Sequence, residues 1–478
     1  MRRFQTSPTR KGISEVKLSH TRAATSVVFD EPNLVSAAGL VPVVALAESA
    51  GLADLAEEHL RVPTDKGAHP GRKVMALVAG LAAGADSIED LAVLRHGGMG
   101  KLFDRPYAPS TLGSFLRAFR FGHVRQLDAV AARFLAGLAA RAPLLPGSAG
   151  RVLVDVDDTI IEVHGYAKQG AAFGYSKVRG LNALLATVTT DGSAPLVVAS
   201  RLRTGSTGSP RGAARLVADA LATLRRLPGL QTTSTVLLRA DSAFFGSPTV
   251  TAAVRGGAEV SVTVRLDQRV RAAIAAIRDD AWTPIAYREA VYDPDTGRWI
   301  SRAEVAEIPF TAFASRPKTQ QQSGRLVVRR IPDLNPQGGG QEPLFDTWRF
   351  YAFFTTSDLD TVTADRVHRG HAIIEQVHAD LKHAALAHLP SGSFTANSAW
   401  LVGAVMAFNL TRAAATLAGF GLAKATTATI RRTLITVAAR VAASARRITL
   451  HLPTRWPWQG AWTQLFGHVC GPPTTITI

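Results

Sequence analysis

Near residue 150 the hydrophobic pattern of the chain switches from helical to extended, and this switch constrains the fold more than any single motif. From about 30 to 142 the sequence reads helical. "RKVMALVAGLAAGA" has helix formers, one interior glycine at Gly80, and Gly84 as the stop. "DSIEDLAVLRHGG" predicts a new helix, with Asp86 or Ser87 as N-cap and Gly97-Gly98 at its end. "PLLPGSAG" is a linker of turn residues. Beyond it, "RVLVDVDDTIIEV" alternates β-branched residues with acids. "NALLATVTT-DG-SAPLVVASRLR" is a hairpin signal, Asp191-Gly192 being the turn.

Helix and strand then alternate. A helix is predicted over about 211–226, then the strand "STVLLRAD", a short helix near 248–255, the strand "AEVSVTVR" and a helix around 268–278. Residues 283–355 are strand-like, with "RLVVRRI" and "WRFYAFFTT" separated by a flexible "NPQGGGQ". Helices return at 361–386, 396–418 and 425–447, followed by the aromatic loop "HLPTRWPWQGAW". Three strands, helix, strand, helix, strand and a late helix are the element order of a ribonuclease-H-like α/β fold. A β-rich insertion interrupts it once.

A chain of 478 residues is expected to hold two or three domains. Its 54 Lys+Arg against 37 Asp+Glu leave a net +17, which suggests a polyanionic partner, most simply nucleic acid. Most of the basic residues are arginine, suited to bidentate phosphate contact. The single cysteine, Cys470, excludes a disulfide framework or a cysteine-based zinc site within one chain. "MRRFQTSPTRKGISEVKLSH" has no apolar core of a secretory signal, and a cytoplasmic location is expected. The most apolar stretch, "LVGAVMAFNLTRAAATLAGF", carries Asn409 and Arg412, which predicts a buried helix rather than a membrane span.

Three places carry candidate chemistry. "VDVDDT" puts Asp155 and Asp157 on one strand face and Asp158 on the other. Two acids on one face repel unless a cation or solvent sits there; an exposed strand end is the plainer alternative. "LLRADSAFFG" puts Asp241 at the carboxyl end of an apolar strand, where open α/β sheets place ligands, or where it caps the next helix. "HRGHAIIEQVHADLKHAAL" crowds four histidines around Glu375. On a helix, His368, His371, His378 and Lys382 fall on the Glu375 stripe, while Ile374, Val377, Leu381 and Ala384 form a core-facing one.

Three readings of that stripe compete. It could be a solvated face. It could be a histidine metal site, but no second Glu-x-x-His and no His-Glu-x-x-His exists in the chain. It could supply an acid to a Mg²⁺ site, with Asp157 and Asp241 as the other oxygen ligands and His368, His371 and Lys382 on the DNA backbone.

These residues resemble a family. The order Asp157, Asp241, Glu375 looks like the Asp-Asp-Glu triad of insertion-sequence transposases. The late-helix signature of a related group is Tyr, two residues, Arg, three, Glu, six, Lys. Here that spacing reads His368, His371, Glu375, Lys382, so histidine replaces both Tyr and Arg. "HRGHAIIEQVHADLK", "AFNLTRAA" and "RADSAFF" are similar to the insertion sequence thirteen-eighty family, over roughly residues 30 to 460.

The resemblance implies a division into a basic flexible arm (1–26), a helical end-recognition domain (27–145) and a catalytic core (150–282 and 356–418). A β-rich insertion (283–355) and a C-terminal helical or dimerisation region (419–478) complete it. It implies Mg²⁺, with Mn²⁺ able to substitute, held by Asp157, Asp241 and Glu375, with Asp155 or Asp158 as alternatives to Asp157. Two ions about 4 Å apart would serve cutting and joining. It implies DNA partners (terminal inverted repeats and target), a homodimer in the complex, no membrane, and a nucleoid-associated bacterial protein. An aromatic residue of the insertion holds a flipped base in a relative; Trp348 and Tyr351 lie in a corresponding place. Two rivals remain: a non-catalytic DNA-binding transposon remnant or repressor, and a simple Mg²⁺-dependent nuclease without joining activity.

Overall fold

The structure is a computed structural model that describes residues 19–231, 233–293, 298–332, 348–419, 421–444 and 447–471. Residues 1–18 of the expected basic arm and the "NPQGGGQ" stretch lie outside the described residues.

The chain begins with strand β1 (Leu34–Val35) and helices α1 (Leu40–Ser49), α2 (Leu52–His59), α3 (Pro70–Ala83), α4 (Met99–Leu102), α5 (Pro109–Arg117) and α6 (Phe121–Arg141). Proline opens α3 and α5, where its missing N–H costs nothing. Gly84 ends α3 at φ 115°, a conformation open to glycine. The helix expected over "DSIEDLAVLRHGG" is a 3₁₀ segment, Glu89–Leu94. Ser87 and Asp90 bond each other's backbone N–H at 3.2 Å, so the cap forms although the α-helix does not follow.

The sheet elements follow: β2 (Arg151–Glu162), β3 (Ala172–Phe173), β4 (Arg179–Thr190) and β5 (Leu196–Thr204). Next come α7 (Ala213–Leu224), β6 (Thr235–Ala240), α8 (Ser247–Arg255), β7 (Glu259–Thr263) and α9 (Gln268–Ala275). Then β8 (Thr283–Asp293), β9 (Arg298–Ala312), β10 (Gln322–Pro332) and β11 (Trp348–Thr355) lead to α10 (Thr361–Arg369), α11 (Ile373–Lys382) and α12 (Phe394–Ala418). The chain closes with α13 (Thr427–Ile430), β12 (Ala439–Ser444), β13 (Arg447–His451) and α14 (Gln459–Cys470).

Ten strands form one mixed sheet. β5, β4 and β2 run antiparallel, and the β4–β5 turn uses Gly192 at φ 90°. β6 and β7 add on parallel to β2. The strands of 283–355 do not make a separate sheet: β11 pairs antiparallel with β7, and β10, β9 and β8 continue outward.

Helix α12 is the hub. It packs on α6, α3, β5 and α14, and 22 of its 25 residues are buried, so it is enclosed on all sides. It is long and apolar enough to cross a membrane, yet 94% of its apolar window is buried inside the protein. Its polar residues have internal partners. The Asn409 amide bonds both Val197 N (2.9 Å) and Val197 O (2.8 Å), pairing β5 as a strand would. Arg412 pairs with Asp380 of α11, whose carboxylate also accepts Thr427 N at 2.9 and 3.0 Å. One continuous core runs from Val35 to Leu465.

The helix expected over 425–447 is corrected by the structure. Among the described residues, only α13 and a π-turn at Arg431–Ile435 are helical there; β12 and β13 then pair antiparallel, and β1 pairs with β12. Ala and Arg favour helix locally, but pairing and one-sided burial override that preference.

Candidate active site

The three aspartates of β2 receive different surroundings. Asp155 is fully buried. Arg239 sits directly opposite it on β6 and grips both oxygens, Nε to Oδ1 and Nη2 to Oδ2, each at 2.7 Å. His371 Nδ1 lies 3.2 Å from Asp155 Oδ1. Arg239 also donates to the Val367 carbonyl, which ties α10 to the sheet. Asp158 faces the other side of the sheet and is held by Arg203 of β5 and Asn182 of β4. Among the described residues, Asp157 has no ion pair. Burial pushes its carboxyl up to about 7, with the charges of Asp241 and Asp158 adding to the shift; the Asp158 backbone N–H and His371 oppose it.

Asp241 follows the last residue of β6 and stands exposed. Its Oδ1 accepts from Ala243 N at 2.9 Å, so it also caps the next turn. Ala240 is the register partner of Val156. Asp241 is therefore the next rung beside Asp157, on the face that carries Asp155 and Arg239.

Helix α11 lies along that face. His371 just before it reaches Asp155, and Lys382 at its end reaches Thr159 Oγ1 at 3.4 Å. The helix and β2 thus run in the same sense. Glu375, one turn past His371 and exposed, falls at the level of Asp157. Among the described residues, no three His, Cys, Asp or Glu side chains converge as a metal-holding group. The Asp157–Asp241 pair fits a hard divalent cation by its oxygen donors and mutual repulsion; the set of three acids is not closed around one point.

The histidines divide. His368 offers Nδ1 to Ser261 Oγ (2.9 Å) and Nε2 to Thr263 Oγ1 (3.0 Å), and its ring stacks on Phe353 at 4.0 Å. Burial pulls its pKa down to about 3. Neither ring nitrogen is left for phosphate in this conformation. His378 is buried, neither ring nitrogen has a partner among the described residues, and burial pulls it down to about 4. His383 bonds the Ala379 carbonyl at 2.7 Å on the exposed side.

Trp348 and Tyr351 lie three apart on β11, so they face opposite sides of the sheet. The Arg330 guanidinium is sandwiched between Trp282 (4.2 Å) and Trp348 (4.4 Å). Tyr351 is 47% exposed, lies beside Arg329, and shares its face with Phe353 and hence with His368 and α10.

Arg239, Arg203 and Asn182 hold the aspartates of β2, and no motif announces that role. Arg239 left a signal: an arginine inside the apolar "VLLRAD" strand needs an acid when buried.

No curated protein matches the chain. A cryo-EM structure of the piggyBac transposase synaptic complex with hairpin DNA overlays with a TM-score of 0.36 at 10% identity, over 91% of this chain and 80% of that one. The family model for the transposase DDE domain, group 1, matches residues 19–470, and the chain therefore belongs to that transposase family.

Proposed function

We propose that this transposase cuts and joins the ends of an insertion sequence, and that Asp157, Asp241 and Glu375 are its metal ligands. The observation that carries the assignment is the division of labour on β2: Asp155 and Asp158 are each neutralised by a buried arginine, while Asp157 stands beside Asp241. The order β5-β4-β2-β6-β7, three antiparallel strands followed by two parallel ones, supports a ribonuclease-H-like core. The motif likenesses at His368–Lys382 support membership of the insertion sequence thirteen-eighty group.

A bound divalent ion, Mg²⁺ or Mn²⁺, would supply Lewis acidity toward the scissile phosphate and lower the pKa of an attacking water. The chain's own residues prepare that site. Arg239 and His371 hold Asp155, and so hold β2 and the start of α11 together. Lys382 stands exposed at the far end and carries positive charge for a DNA phosphate. His368 fixes α10 to β7, a positioning task. Tyr351, on the carboxylate face, is the better stacking residue for an unpaired base; Trp348 already clasps Arg330.

The test is strand cleavage and strand transfer in vitro on DNA carrying the element's terminal repeats. Asp157→Ala, Asp241→Ala and Glu375→Ala should each lower both steps by several orders of magnitude. Full activity in any of them removes that residue from the site. Cleavage without transfer would mark a nuclease, and binding without cleavage a non-catalytic remnant.

A further inference from the structure

Asp380 is the last acidic residue of the chain. Residues 381–478 carry two lysines, seven arginines and no acid, so they supply nine of the net +17. Some of these cations are used inside the fold: Arg412 pairs with Asp380, and Arg431 is packed against Gly84. Arg432, Arg440, Arg447 and Arg455 are exposed, and none makes an ion pair among the described residues.

The small sheet β1-β12-β13 arranges them. In β12 the alternation puts Ala439 and Val441 into the core and Arg440, Ala442 and Ser444 outward. Register then places His451 opposite Arg440, Thr449 opposite Ala442, and Arg447 opposite Ser444. The outer face carries two arginines and a histidine with two hydroxyls and Ala442 between them, and Leu34 of β1 beside Arg440 at its edge. The chain leaving β13 continues through Arg455, held at φ 58°, into a tryptophan pair, Trp456 and Trp458, 5.2 Å apart. The Arg432 guanidinium lies 5.8 Å from the Trp458 ring.

We propose that this face is a second DNA-contact surface, one that grips the phosphate backbone of duplex DNA without reading its sequence. The proposal rests on DNA being the substrate. Arginine and hydroxyl donors with no opposing acid suit phosphate oxygens. The centre of the face is Ala442, and Leu34, opposite Arg440 on β1, is a single half-exposed leucine among cations and hydroxyls, too little apolar surface for the buried face of a membrane-binding element.

The experiment titrates the full-length protein against a labelled random-sequence duplex in EDTA, between about 50 and 200 mM salt. The comparison is with R440A/R447A/R455A and with the charge-keeping R440K/R447K/R455K. Loss of three phosphate contacts should weaken binding and make the log K against log salt slope shallower by about 2.7. The lysine variant should restore most of the slope. An alanine variant with wild-type melting temperature and unchanged slope overturns the surface while leaving DNA as substrate. A wild-type protein that does not bind the duplex overturns both, and binding to phosphatidylserine vesicles in its place would assign the face to a membrane.

Discussion

Three aspartates within four residues of one strand have three fates, and two of them are decided by an arginine far away in sequence. Arg239 lies 84 residues from Asp155, and Arg203 lies 45 from Asp158. The strand pattern shows which acids share a face, but not which of them meets an arginine. This is why the choice among Asp155, Asp157 and Asp158 was not legible, although the cluster itself was. The two neighbours should respond differently to mutation. Asp155→Asn strands Arg239 as a buried unpaired cation and should cost about 3–5 kcal/mol in urea unfolding. Asp157→Asn removes a carboxylate that burial disfavours and should leave stability unchanged or raise it. The pH dependence has a definite sign. Asp157 has a folded pKa of about 7 against an ordinary 3.8, so the folded chain binds the extra proton between those values. Its contribution therefore falls as pH rises from about 4 through 7, and is most unfavourable above 7. A divalent ion binding the carboxylate should reverse that penalty. Mg²⁺ or Mn²⁺ should raise the melting temperature more at pH 8 than at pH 5.5, and Asp157→Asn should abolish the rise. The same rise in the variant would show that the ion binds elsewhere.

At the scale of elements, helix α11 was legible as a stripe but not as a contact. The periodicity places His368, His371, Glu375 and Lys382 along one side, yet the chain breaks into α10, a 3₁₀ turn at Gly370–Ala372, and α11. That break lets His368 turn into β7 while His371 and Glu375 face β2. His378 lies on the core side of α11, where two ring nitrogens find no partner. Leucine has a similar volume and no polar atom to desolvate, so His378→Leu should stabilise the protein by about 1–2 kcal/mol at neutral pH. The sign in acid follows from the shift. His378 has a folded pKa of about 4 against 6.5, so the unfolded chain binds more protons between those values. Stability is lost as pH falls through that window, and His368, held at about 3, acts in the same direction. Chemical denaturation from pH 7 to pH 4 should show a shallower loss in His378→Leu than in the wild type. An equal slope would mean that His378 is solvated in the native state. The strand β12 was missed for a related reason: its Ala and Arg residues carry helical propensity, and only the partner strands β1 and β13 reveal the two-residue alternation of burial.

For the whole molecule, the apolar helix near 396–418 was legible as buried, but the sequence does not say what covers it. The structure covers it with parts of the chain on both sides of the large sheet region. β5 packs on α12, as do α3, α5 and α6 from before residue 145 and α14 from the end of the chain. Gly403 marks how close α3 comes: a Cβ there would meet Leu77 and Leu81 at 3.2 Å. The ion pairs across this joint tell the same story. Arg125 of α6 and Arg201 of β5 both reach the Asp219 carboxylate of α7, at 2.9 and 3.0 Å. A division of the chain by function into an end-recognition part and a catalytic part therefore does not divide its core. A fragment spanning residues 150–418 would keep β5 against α12 and lose α3, α5, α6 and α14. It would leave much of a helix with 22 buried residues facing water. Such a fragment should aggregate on expression, and coexpression with residues 19–149 and 419–478 should recover soluble protein. The measurement is gel filtration with thermal unfolding. A monomeric 150–418 fragment with one sharp transition would show that the sheet region carries a core of its own, and that α12 needs only β5 to stay folded.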